Sequence, residues 1–329
     1  MPRHKTLGID LGTSTIKICS DQKDTIIKEK NMIAIRNGNQ ILAIGSEAYE
    51  MYEKAPVNIQ VESPMAYGKI ANVNYTEAVL KKLLEKEGRN SLSGSTLYLS
   101  VPADMSEIEK RAYYTIASGS RKDTVHTVEK PIADAIALGI PIETTRGAMI
   151  VNVGAQSTEI SVIADGRVII SKIVEIGGKQ LNEAIVSAVR RRYHLHIGTR
   201  TAKRLKISMG SFRLKKKEER TVWGIDSVSG LPREEMVSSL VIHEALCDSM
   251  DVVGREIKFF LERTPPQIYH SIIEQGIYLT GGTTRLPDID WYLQQETGYE
   301  IRLSAFYELC TIYGLREIIS HDELKKWSK

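Results

Sequence analysis

Between Asp10 and Lys17 the stretch "GIDLGTSTIK" gathers a carboxylate, a glycine, three hydroxyl residues and an ammonium. Gly12 permits close backbone approach. The N–H groups from Gly12 to Thr15, among them Thr13 and Ser14, can cradle anionic oxygens. Asp10 can hold a hard divalent cation through water, and Lys17 adds a point charge. This is equipment for binding phosphate. A second stretch, "MIVNVGAQSTEISVIADGRVII", reads as an echo of the first: Asp10 pairs with Asn152, Gly12 with Gly154, Thr15 with Ser157 and Ile18 with Ile160, always 142 residues apart. The echo has lost the carboxylate. A duplicated turn rich in glycine and hydroxyls predicts two phosphate clamps, the second poorer in charge.

Both turns are expected at hairpin tips, because strand pattern resumes on the far side of each glycine. A dinucleotide-binding or Walker motif would need a helix directly after the glycine turn, and neither motif occurs. Strand-like runs at Thr6–Ile9, Thr15–Cys19, Thr25–Ile35, Ile41–Ile44 and Leu97–Val101 alternate with helical periodicity, which predicts an α/β fold. Val79, Leu80, Leu83 and Leu84 share one face of a helix over Asn74–Leu84, and Ser106 with Glu109 forms a capping-box signature. The spacing of Ile242, Leu246, Met250, Val253, Ile257 and Leu261 predicts a long core helix, stopped by Pro265 and Pro266.

A chain of 329 residues is too long for one hydrophobic core, so two lobes are expected. The net charge of +3 does not call for nucleic acid as a partner. Cys19, Cys247 and Cys310 are odd in number, lie far apart and show no metal-ligand spacing, which suggests a reducing cytoplasm; separately, His194 with His196 lacks the further ligand a metal site needs. No apolar run approaches the roughly 18 residues that span a bilayer. The expectation is a soluble or at most peripheral protein.

In order and spacing, "GIDLGTSTIK", "VPADMSEIEKRA", "EKPIADAIALGIP", "IVNVGAQSTEISVI", "IVEIGGKQLNEAIVSAVRRRYHLHIGTRTAKRLK" and "GIYLTGGTTRLPDID" resemble the bacterial actin MreB family over most of the chain. The resemblance implies an actin-like ATPase fold, with duplicated ribonuclease-H-type domains forming two lobes around a nucleotide cleft. Residues 1–32, 65–145 and 309–329 would form the first core and 33–64 its small insertion; residues 146–178 and 241–308 would form the second core and 179–240 its insertion. It implies ATP or ADP with Mg2+ as cofactors. Asp10, Gly12, Thr13, Ser14 and Lys17 would hold phosphate and metal, with Asp10 reaching magnesium through water. Gly154 would serve the second clamp. Gly177 and Gly178 would head a helix aimed at phosphate or ribose, and Gly281, Gly282 and Thr283 would meet the nucleoside.

Against that background the chain departs from the family. Asn152 replaces an aspartate, while Ala155 and Gln156 put Cβ atoms where glycines allow tight approach or positive φ. Lys130 stands at the position of a water-orienting glutamate; an ammonium cannot accept a proton from attacking water. Asn72 replaces another carboxylate. The family's Glu-x-x-Lys near adenine reads Lys203 and Lys206, which can still meet ribose or phosphate oxygens.

The resulting expectation is a cytoskeletal or scaffold protein in cell-shape or wall organisation that binds ATP-type nucleotide, self-assembles, and hydrolyses poorly. Two alternatives stay open: an active filament-forming ATPase with Ser157 or Thr158 positioning water, and a non-polymerising module that regulates a conventional MreB-like relative. From Arg190 to Arg220 twelve Lys or Arg meet only Glu218 and Glu219. This reads as a solvated face or a peripheral contact with anionic membrane. The insertion loop the family places before "LYLSVP" is "GRNSLSGS" here, with only Leu92 apolar. The C-terminal stretch through Trp327 reads as a docking helix.

Overall fold

The computed structural model describes residues 5–86, 95–117, 124–214 and 216–329. Strands Lys5–Leu11 (β1), Thr15–Ser20 (β2), Lys23–Lys30 (β3), Ser95–Val101 (β4) and Thr124–Glu129 (β5) form one sheet in the order β5-β4-β1-β2-β3. The β1–β2–β3 meander is antiparallel, and β4 runs parallel to β1 and β5. Strands Ala148–Val153 (β6), Thr158–Ala164 (β7), Arg167–Val174 (β8), Ile277–Thr280 (β9) and Ile301–Leu303 (β10) form a second sheet in the order β10-β9-β6-β7-β8, with β9 parallel to both neighbours. The repeat at 142 residues is therefore a repeat of whole sheets. β1 and β6 are central strands covered on both faces: β6 buries the apolar run Met149, Ile150 and Val151 with Val153, while β1 alternates the buried Leu7, Ile9 and Leu11 with the buried Gly8 and Asp10.

Packing divides the chain into two units, residues 1–145 with 161–172 and 309–329, and residues 146–160 with 173–308. Each contains a further three-stranded sheet. One joins Ile33–Arg36, Gln40–Ile44 and Ile59–Glu62; the other joins Leu195–His196, Glu219–Asp226 and Pro232–Ser238.

Five helices matter to the site: Lys130–Ala137 (α1), Gly178–Tyr193 (α2), Thr199–Met209 (α3), Ser239–Glu262 (α4) and Cys310–Ser320 (α5). The long predicted core helix is α4. It buries Ile242, Leu246, Met250, Val253, Ile257 and Leu261, is capped where Ser238 accepts the Leu240 N–H, and stops before Pro265 and Pro266. The helix predicted over Asn74–Leu84 spans Val73–Lys86 with its expected apolar face inward. The capping box closes with the Ser106 N–H on Glu109 Oε2 at 2.7 Å and the Glu109 N–H on Ser106 Oγ at 3.3 Å. In the first unit α5 lies so close to α1 that Gly314, against the Ala133 carbonyl, leaves no room for a Cβ. Thr311 Oγ1 donates to Asp134 Oδ1 at 2.6 Å, and Trp327 packs over Gly166.

One predicted strand divides. The run Thr25–Ile35 breaks after Lys30 because Asn31, fully buried, turns toward the first hairpin, donating its N–H to the Ser14 carbonyl at 3.1 Å and Nδ2 to the Gly12 carbonyl at 3.0 Å. The loop "GRNSLSGS" lies outside the described residues apart from Ser95. No described helix is long and apolar enough to cross a membrane.

Candidate functional site

In the first unit the antiparallel register of β1 and β2 sets Asp10 opposite Lys17, and the parallel register of β1 and β4 sets Ser100 on its other side. Lys17 Nζ donates to Asp10 Oδ2 at 2.6 Å, and Ser100 Oγ donates to Oδ1 at 2.7 Å. Lys130, the first residue of α1, brings Nζ to 3.5 Å from the same Oδ1. Asp10 is buried, and burial alone would raise its pKa. The charges of Lys17 and Lys130, with the hydrogen bonds from Lys17 and Ser100, hold it well below the usual carboxylate range. Asp10 is thus ionised, and the trio carries a net positive charge. Glu129, the neighbour of Lys130, turns elsewhere and pairs with Lys329 at 2.5 Å.

The tip of this hairpin is crowded. A Cβ on Gly12 would stand 2.6 Å from the Thr15 carbonyl oxygen, so close approach rather than backbone angle demands glycine there. Thr13 is held from two sides: its carbonyl accepts Ser63 Oγ at 2.8 Å and its Oγ1 accepts the Gly68 N–H at 3.0 Å. The N–H groups of Thr13 and Ser14 meet no acceptor among the described residues. They are the donors that an anionic oxygen would use.

The second unit builds its hairpin differently. The Gly154 N–H closes the turn on the Ser157 carbonyl at 2.8 Å, and none of the residues from Gly154 to Ser157 has positive φ. Ala155 and Gln156 therefore sit there without left-handed backbone, so the positive φ that glycines could have supplied is not needed. The hairpin carbonyls receive the start of α2: Gly154 O accepts the Gly178 N–H at 3.1 Å, and Ala155 O accepts the Lys179 N–H at 2.7 Å. A Cβ on Gly177 would meet Ser157 N at 2.7 Å. Gly177 and Gly178 thus seat the helix on the hairpin, and these N–H groups are engaged within the protein. Thr283 Oγ1 also donates to Gly154 O, at 2.7 Å. Gly281, at φ +103°, packs against Asn152 Oδ1, while a Cβ on Gly282 would lie 3.3 Å from Glu308. Lys206 on α3 is buried and donates to Gly178 O at 2.5 Å. Burial, then the charge of Lys203, pulls its pKa down to about 7.

Two expected residues hold the fold instead. Thr158, one of the two hydroxyls expected to position a water, is buried and its hydroxyl donates to Ile176 O at 2.7 Å, which ties the hairpin to the approach to α2. Asn72 Oδ1 accepts the Tyr75 N–H at 3.1 Å and caps the helix Val73–Lys86. Conversely, Ser100, Asn31 and Ser63 escaped sequence reading, because no local pattern marks a contact with a turn tens of residues away.

A family model described as MreB/Mbl protein matches residues 4–327. The chain belongs to the MreB/Mbl family. It is 34% identical to the cell shape-determining protein Mbl of Bacillus subtilis over 326 residues, 98% of each chain. Among solved structures it is similar to MreB5 of Spiroplasma citri bound to AMPPNP, with TM-score 0.92, 25% identity and coverage of 99% and 98%. It also shares its fold with the MamK double helical filament, with TM-score 0.79 at 18% identity and coverage of 97% and 99%. The fold is actin-like.

For a member of the MreB/Mbl family the resemblance places magnesium at Asp10, and here the donor set does not fit it. Both Asp10 oxygens face ammonium or hydroxyl donors, the matching residue of the second hairpin is the neutral Asn152, and no group of three or more His, Cys, Asp or Glu suited to a metal occurs among the described residues. At an effective dielectric of about 20, each unit-charge contact near 4 Å is worth about 4 kcal/mol. Asp10 already has two such partners.

Proposed function

We propose that this chain is an actin-like cytoskeletal or scaffold protein that binds adenine nucleotide, self-assembles in the service of cell shape, and hydrolyses ATP slowly or not at all. The observation that carries the reading is Lys130, whose ammonium lies 3.5 Å from Asp10 at the position where the family resemblance calls for a water-orienting glutamate. The nucleotide-bound MreB5 of Spiroplasma citri, the cell shape-determining Mbl of Bacillus subtilis and the filament of MamK support binding, role and assembly respectively. In this reading Gly12, Thr13, Ser14 and Lys17 serve the phosphates, with Asp10 holding the Lys17 ammonium in place; Gly154 serves the second clamp, Gly177, Gly178, Lys203 and Lys206 serve phosphate or ribose, and Gly281, Gly282 and Thr283 meet the nucleoside. Residues 33–64 and 179–240 are small insertions in cores made of 1–32, 65–145 and 309–329, and of 146–178 and 241–308.

Sedimentation with ATP, with ADP and without nucleotide tests assembly, and the same assay with anionic liposomes or a conventional relative tests those partners. Phosphate release tests hydrolysis. Lys130→Glu is expected to raise it by about 10² to 10⁴, the usual worth of a positioned base. Wild-type turnover already at the rate of a competent relative would refute the impaired-hydrolysis reading.

A further inference from the structure

We propose that Lys130, with Lys17, supplies the positive charge that a divalent cation would otherwise bring to the nucleotide phosphates, so that this chain binds nucleotide without magnesium. The inference rests on the nucleotide-binding reading above and adds the identity of the counter-charge.

A carboxylate recruits a hydrated cation by its uncompensated charge. Asp10 has none to offer: Lys17 Nζ stands at 2.6 Å from one oxygen, and Ser100 Oγ at 2.7 Å and Lys130 Nζ at 3.5 Å from the other. One carboxylate between two ammoniums leaves the cluster cationic, which repels a metal ion and attracts an anion. The two lysines are not equivalent. The Lys17 side chain is 8% exposed, whereas that of Lys130 is 19% exposed beside an aspartate at 3%, so Lys130 is the more accessible of the two lysines. Next to this cluster lie the N–H groups of Thr13 and Ser14, which have no acceptor among the described residues. Ammonium and backbone donors together suit the terminal phosphate oxygens of a nucleoside di- or triphosphate, with an ammonium acting as a point charge. Asn152, at the corresponding place in the second hairpin, adds no charge that would draw the metal back.

The test is equilibrium binding of fluorescent ADP and of a non-hydrolysable ATP analogue, each measured with magnesium and with EDTA. Wild-type protein is expected to give the same dissociation constant in both. Lys130→Gln is expected to bind about tenfold or more weakly in EDTA than in magnesium, the size of effect that follows loss of a metal-site partner. Lys130→Arg, which keeps the charge, is expected to stay indifferent to EDTA. A wild-type protein that loses its nucleotide on chelation overturns the inference and leaves nucleotide binding standing. Absence of binding in both buffers overturns the nucleotide reading and the inference with it. The wild-type comparison decides even if Lys130→Gln does not fold.

Discussion

The hairpins β1–β2 and β6–β7 have the same place in equivalent sheets and the same glycine at the tip, yet one is built around charge and the other around backbone. The first buries Asp10 among Lys17, Lys130 and Ser100 and leaves two tip N–H groups without acceptors among the described residues. The second turns its carbonyls onto Gly178, Lys179 and Thr283. The central pair changes as well, since 142 residues beyond the buried Lys17 stands the buried Glu159 while Asp10 gives way to the neutral Asn152. A duplicated scaffold can therefore keep its geometry while its two copies divide the work, one presenting donors and charge, the other bracing a helix.

The largest expected effect separates the two hairpins by charge. Asp10→Asn leaves Lys17 and Lys130 without their counter-charge and is expected to cost about 3–5 kcal/mol, read from the urea midpoint. Asn152→Asp places a charge at a partly exposed position and is expected to cost clearly less. Equal losses would break the contrast.

A smaller effect concerns the tips. Gly12→Ala drives a Cβ to 2.6 Å from the Thr15 carbonyl, against 3.0 Å from the Ser157 carbonyl for Gly154→Ala. The first is expected to cost about 1–3 kcal/mol, the range of an overpacked site, and the second less; denaturant melts of the two variants order them.

The last effect is a pH slope in the second unit. Folding lowers the pKa of Lys206 from 10.5 to about 7, so between those values the unfolded chain holds a proton that the folded chain does not. Stability from this residue therefore rises with pH across that window, and its burial penalty is complete below it. Burial pushes the Cys19 thiol up to about 12, which works in the opposite sense at high pH. Comparing Tm of wild type and Lys206→Met cancels that thiol. The gap should move in favour of wild type, by several degrees, from pH 7 to 10; a constant gap would place Lys206 in a solvated setting.

Much of this was legible because it is local. The alternation in β1 and β2, the period of α4 and the 142-residue echo need only neighbouring residues to show themselves. The break at Asn31 was not legible, since apolar residues resume at once with Met32 and Ile33 and the cause is a bond to a turn 19 residues back. Ser100 and Ser63 reach the same hairpin across 90 and 50 residues. The family resemblance marked Lys130 as a substitution, but its partner Asp10 emerges only when α1 starts where β5 ends. Thr158 shows the converse: a hydroxyl in a suggestive motif that the fold had already engaged.

The clamp on the first tip has a mechanical side. Asn31 is where the chain leaves the core for the 33–62 sheet, Ser63 is where it comes back, and both grip the same few turn residues: Asn31 the carbonyls of Gly12 and Ser14, Ser63 that of Thr13. The small sheet is thus a lever with both of its roots tied to the tip, and a push on that sheet from a neighbouring molecule would be felt first at the N–H groups of Thr13 and Ser14.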